Sequence, residues 1–107
     1  MQEQTEQLLL GAAAGNPYRA FGFIGAVTPV QLRKGCRQNQ AMFHPDKGGS
    51  LALSQLANGC ADVLSGKATA LGDDLITLAS QLLKELQEGR EQEHYVKLIR
   101  EWRARYR

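Results

Sequence analysis

Strand signal is nearly missing from this chain. Aromatic residues make up 7% of its 107 positions, β-branched residues are sparse, and no useful stretch alternates apolar with polar, which argues against sheet architectures. Long apolar runs are missing too. The longest, Leu8 to Ala14 with Gly11 inside it, is far short of the roughly 20 residues a membrane-spanning helix needs. Cysteine is scarce: Cys36 and Cys60 are too few and too far apart for a disulfide scaffold or a zinc site, so a reducing compartment is the default reading and no metal is expected. Charge of one sign is lacking as well. Thirteen basic and eleven acidic residues leave a formal charge of +2, which does not imply nucleic-acid binding unless the charge is locally clustered. Early positive charge is absent, since Met1 to Gln7 is acidic and the first basic residue is Arg19. Secretory signals and mitochondrial transit peptides both need such charge, so the expectation is an intracellular protein, cytoplasmic or in an organelle interior, and mitochondrial if this is a processed form. What remains is an ordinary 43% hydrophobic content, which fits one small globular domain and not a disordered or collagen-like chain.

Helical spacing recurs throughout, and the expected class is all-α. Thr28-Pro29 is a strong helix start, because threonine caps free backbone N–H groups and proline at the first helical position sacrifices no hydrogen bond. The apolar face of that helix is Leu32, Cys36 and Phe43, with Asn39 in the middle of the stripe, while Arg33, Lys34 and Arg37 share another face. Pro45 disfavours helical geometry at His44, so the helix should end at or just before it. Gly48-Gly49 permits a reversal, and Ser50 can cap a second helix with the stripe Leu53, Leu56, Ala57, Cys60, Val63 and Leu64, ended by Gly66. Two helices of similar length joined by a short loop predict an antiparallel hairpin.

Extra helices are expected on both sides. Thr5 to Ala14 has the spacing of a short helix ended by Gly15, and Asn16-Pro17 opens a segment holding Tyr18, Phe21 and Phe23. Further on, Gly72-Asp73-Asp74 supplies a cap and first-turn acids ahead of Leu75, Leu78, Ala79, Leu82 and Leu86. Gly89 is expected to interrupt that helix. Tyr95, Leu98, Ile99, Trp102 and Tyr106 then repeat the pattern. The organisation is a segment 1–15, a unit 16–66 and an extension 67–107.

The most informative residues are Phe43-His44-Pro45-Asp46-Lys47-Gly48-Gly49-Ser50 between the two central helices. They resemble the signature of the J-domain (DnaJ-like) family. Asn16 to Phe23 looks like the family's first helix and its exit, Leu32 to Arg37 like its basic second helix, and Asn58 to Ser65 like the end of its third. The likeness spans about residues 16 to 66, and the run from the double glycine through Asn58 is spaced as in mitochondrial import-motor J-proteins. Viral tumour-antigen J-domains share His-Pro-Asp-Lys-Gly-Gly.

The resemblance implies a co-chaperone that binds a DnaK-type chaperone and stimulates its ATP hydrolysis, the partner doing the chemistry. Asp46 would then offer an ionised acceptor to an arginine of the chaperone, a charge-assisted contact of the stronger kind. His44 and Pro45 would fix the shape of the loop, and Arg33, Lys34 and Arg37 would meet an acidic chaperone surface. The same loop also has a purely structural reading, because a histidine suits a helix C-terminus and Pro-Asp-Lys-Gly-Gly is a competent turn. The sequence departs from the family where Asn39 and Gln40 replace a usual Leu-Ala pair, where Met42 replaces a basic residue, and where Cys36 and Ala61 replace tyrosines. A buried amide at Asn39 requires a partner, and the smaller hairpin core predicts that the flanking helices cover it or dock onto neighbouring subunits. The alternative function is therefore a structural or accessory subunit of a large complex that keeps the fold without chaperone activity.

Other sites carry less. Cys36 and Cys60 fall eleven before and thirteen after Lys47, so they can face each other across the hairpin; two buried free thiols are favoured over a disulfide. The last segment sets Arg90, Lys97, Arg100, Arg103, Arg105 and Arg107 against Glu91, Glu93 and Glu101. With Trp102 and Tyr106 interleaved, it reads either as an RNA- or lipid-contacting face or, the favoured reading, as a solvated face around an apolar core stripe. His94 has no second ligand at metal spacing and reads as a surface residue. No catalytic residue and no cofactor is expected: Gly48-Gly49 lacks the Gly-Lys-Ser/Thr continuation of a phosphate-binding loop, and Ser50 is explained as a helix cap.

Overall fold

The structure is a computed structural model that describes residues 2–47 and 49–105, with the side chains of Gln2, Gln92, His94 and Tyr95 outside that description. The expectations for Gly48, Tyr106 and Arg107, and for the His94 and Tyr95 side chains, therefore lie outside the described residues. The described chain is all-helical, with no strand. Helix α1 spans Gln2–Ala13, α2 Pro17–Ala20, α3 Pro29–Met42, α4 Leu51–Leu64 and α5 Asp73–Arg105, and a 3-10 turn covers Pro45–Lys47.

The helix ends follow from capping chemistry. Asn16 caps α2 by accepting from the backbone N–H of Arg19 at 3.2 Å. At α3 the Thr28 hydroxyl accepts from Gln31 N at 3.2 Å, and the Gln31 side chain accepts in return from Thr28 N at 3.0 Å. That reciprocal box satisfies two backbone donors which the first turn leaves free. Ser50 caps α4 by accepting from Leu53 N at 3.1 Å. Glycines with positive φ follow α1 and α4, at Gly15 and Gly66.

A single core joins the described helices. Leu8, Leu9 and Ala12 of α1 meet Ala20 and Phe21, Cys36, Phe43, the α4 residues Leu56, Ala57, Cys60, Ala61 and Leu64, then Leu71 and Ala79. Leu75, Ile76, Leu78, Leu82, Leu83 and Leu86 of α5 pack against that core from outside. Helices α1 and α5 lie against each other, α1 also touches α2 and α4, and α3 makes its main helix contact with α4. Close approach is obligatory where α1 meets α2, because a Cβ at Gly11 would collide with the Ala20 backbone. The segment between α2 and α3 is held by Phe23, whose ring lies over Gly35 and stands edge-on to Tyr18 at 6.4 Å between centroids.

Three expectations are corrected. The first helix runs from Gln2 to Ala13 instead of Thr5 to Ala14. Gly89 does not interrupt α5, which runs unbroken for 33 residues; one glycine costs a helix about 1 kcal/mol, and on either side of it the helix is held by Leu86 against the core and by the Arg90–Glu6 pair. The last stripe is not core: Leu98 is 46%, Ile99 50% and Trp102 63% exposed. A radius of gyration of 17.0 Å and a long axis of 61 Å reflect that projecting end, since a compact chain of this length has a radius of about 13 Å. No helix among the described residues is long and apolar enough to cross a membrane.

Candidate functional site

The loop between α3 and α4 is built from its two ends inward. Phe43, 1% exposed, anchors the end of α3 in the core, and its N–H donates to Asn39 O at 3.1 Å as the cap of the helix. His44 is the pivot of the loop. Its N–H donates to Ala41 O at 3.3 Å, while its carbonyl accepts from Lys47 N at 2.9 Å and from Gly49 N at 3.2 Å. Pro45 supplies the fixed φ that starts the 3-10 turn where α3 must stop. Gly49 is required sterically, because a Cβ there would run into the backbone of Phe43.

Within the turn the Asp46 N–H donates to Nδ1 of His44 at 3.2 Å. An acceptor at Nδ1 means that the neutral imidazole carries its proton on Nε2. The Asp46 carboxylate lies 3.7 Å from the same nitrogen, yet its side chain is 89% exposed and that of His44 55%. Both polar ends of the motif are thus presented to solvent on a backbone that these hydrogen bonds fix.

The hairpin beneath the loop is antiparallel. Gln40 Nε2 donates to Asn58 Oδ1 across it at 3.1 Å, and a groove of about 200 Å³ between the helices brings Leu32, Cys36 and Gln40 of α3 beside Leu64 and Ala61. Asn39 finds its partner within its own helix, donating to Gly35 O at 2.8 Å. Cys36 and Cys60 are both buried and both free. Burial, with a smaller effect from neighbouring Cys36, pushes the Cys60 thiol up to about 12, and burial also raises Cys36.

Arg33, Lys34 and Arg37 are exposed on α3, and among the described residues none of them forms an ion pair. They line one shallow depression with Gln38 and Val30, the latter 66% exposed. At about 100° per residue, Arg33 and Arg37 lie about 40° apart around the α3 axis, so both leave the same side of that helix. Sequence reasoning missed Val30, although its three- and four-residue spacing to Arg33 and Lys34 was available as a signal. It also missed Gln40–Asn58, a pairing of two polar residues for which one sequence carries no mark.

No group of three or more His, Cys, Asp or Glu that could hold a metal ion exists among the described residues. The Ser50 hydroxyl is engaged as the α4 cap. Comparison of the chain with protein-family models, with curated proteins and with solved structures finds no match.

Proposed function

We propose that the chain is a J-domain co-chaperone that stimulates ATP hydrolysis by a DnaK-type chaperone. The observation that carries this reading is the placement of His44-Pro45-Asp46 as a rigid, exposed turn joining two antiparallel helices, with Arg33, Lys34 and Arg37 exposed on the first of them. Asp46 is almost fully exposed and free to accept from a cation, where a charge-assisted bond to a partner arginine is roughly twice as strong as a neutral one. The basic face sets the approach: opposite charge raises the association rate and orients the encounter more than it tightens the complex.

Stimulation of chaperone ATPase at limiting co-chaperone concentration tests the division of labour. Arg33→Glu with Arg37→Glu is expected to raise the concentration needed for half-maximal stimulation at least tenfold at low salt, with a smaller effect at high salt, while the maximal rate is retained. An unchanged concentration dependence would show that the basic face plays no part in the encounter.

The alternative, an accessory subunit of a larger assembly, draws on the exposed apolar end of α5. Within the rest of the chain the flanking helices find partners internally, α1 on α5 and both on α4.

A further inference from the structure

Helices α1 and α5 run antiparallel. Gly15, just past the end of α1, lies beside Ile76 near the start of α5, and Glu6 pairs with Arg90, 84 residues later. The bound of α1 at Gln2 lies about one turn beyond Glu6, level with residue 94 of α5. Past that point no described helix accompanies α5.

The sequence of α5 changes its face at the same place. Leu75, Leu78, Ala79, Leu82 and Leu86, with Ile76 and Leu83 along one edge, form the side that packs on the body. Leu98, Trp102 and Ile99 occupy a sector about 100° wide whose centre lies about half a turn away from that stripe. All three are exposed, at 46%, 63% and 50%, and Leu98, Ile99 and Trp102 line a shallow depression with Glu101 and Arg105. Of the large exposed apolar residues described in α5, Val96 alone, at 49%, stays in line with the packing side.

Charge identifies the occupant. Residues 96–105 hold Lys97, Arg100, Arg103 and Arg105 against the single acid Glu101. Arg103 and Arg105 flank the apolar sector on its two sides, where long basic side chains can reach outward while their stems lie on hydrocarbon. A second copy of the chain would press two segments of the same positive sign together. A nucleic acid would meet the charge but leave Leu98 and Ile99 in water. An anionic lipid surface takes both, with phosphate groups for the arginines and the acyl boundary for leucine, isoleucine and tryptophan. We propose that residues 96–105 of α5 are an interfacial docking helix that lies along an anionic membrane surface. This surface is separate from the His44-Pro45-Asp46 loop and stands whether or not the chain stimulates a chaperone.

Trp102 is the only tryptophan of the chain, so its fluorescence reports directly on the face in question. The full chain is mixed with phosphatidylcholine vesicles containing about one third phosphatidylglycerol, and with vesicles of phosphatidylcholine alone. The expected result is flotation with the anionic vesicles only, a blue shift of Trp102 emission, and reversal by high salt. Ile99→Glu is expected to weaken partition at least tenfold, and Arg103→Gln with Arg105→Gln about twentyfold. Both variants change exposed positions, and an unchanged far-ultraviolet circular dichroism spectrum certifies their fold. Equal binding to neutral vesicles, no shift with anionic ones, or binding that survives both variants would overturn the proposal. So would a dimer in sedimentation equilibrium that Ile99→Glu dissolves, or a Trp102 response to single-stranded RNA but not to vesicles.

Discussion

The Asp46 N–H donates to the imidazole of His44 at 3.2 Å, so the first residue of the exposed motif holds the backbone of the third. Because Nδ1 is the acceptor, neutral His44 is expected as the Nε2–H tautomer. Nitrogen-15 chemical shifts of the imidazole check this. A protonated Nδ1 at neutral ring charge contradicts the loop geometry.

Two glycine-to-alanine changes should move stability in opposite directions. At Gly49 the new Cβ would strike the Phe43 backbone, which cannot retreat without pulling a core anchor, and the expected loss is about 1–3 kcal/mol. At Gly89 a Cβ meets nothing within 4 Å and the backbone is helical, so Gly89→Ala should gain about 0.5–1 kcal/mol from helix propensity. Urea melts of the two variants decide both signs.

The pair Glu6–Arg90 gives the α1–α5 packing a pH dependence. Arg90 reaches both carboxylate oxygens of Glu6, at 3.1 and 2.7 Å, and that hydrogen-bonded guanidinium holds the carboxyl below its usual value of 4.5. A depressed carboxyl contributes stability at pH values above its unfolded pKa, and the contribution is lost as pH falls through the folded one. Glu6→Gln should therefore melt below the unaltered protein at neutral pH, with the difference closing as pH falls below the usual carboxyl value of 4.5. A gap that persists in acid assigns the effect to packing instead.

Thiol labelling separates the two cysteines. Cys60 is fully buried and its thiol is pushed up to about 12, whereas Cys36 lies at the core edge, 9% exposed. Alkylation of the folded chain should modify Cys36 first, and Cys60 only at the rate of unfolding. Both thiols are raised when folded, so stability should fall as pH climbs above about 9, where the unfolded thiols ionise first. Equal labelling of both residues in the native state would contradict the packing around α4.

Local chemistry made much of the hairpin legible. Thr28-Pro29, Ser50, the Pro45 stop and the Leu56–Ala57–Cys60–Leu64 stripe each act within a few residues, and each is found where the spacing places it. The partner of Asn39 could be demanded from the sequence, though not identified as Gly35 O. What was not legible depends on contacts between distant segments. Glu6 and Arg90 stand 84 residues apart, and the three α1 residues that enter the core show only a short apolar run in the sequence. The end of α5 misled for a different reason. Helical periodicity reports that a stripe exists, and it says nothing about which side of the helix the body occupies.

The most direct measurement is single-turnover ATP hydrolysis by a DnaK-type chaperone, with and without this protein and its Asp46→Asn variant. Asp46 makes no buried contact, its side chain being 89% exposed, so the substitution should leave the melting transition where it is. The unaltered chain is expected to accelerate hydrolysis at least tenfold, and Asp46→Asn to abolish the acceleration. No acceleration by the unaltered chain, or acceleration that survives Asp46→Asn, would contradict a co-chaperone acting through this loop.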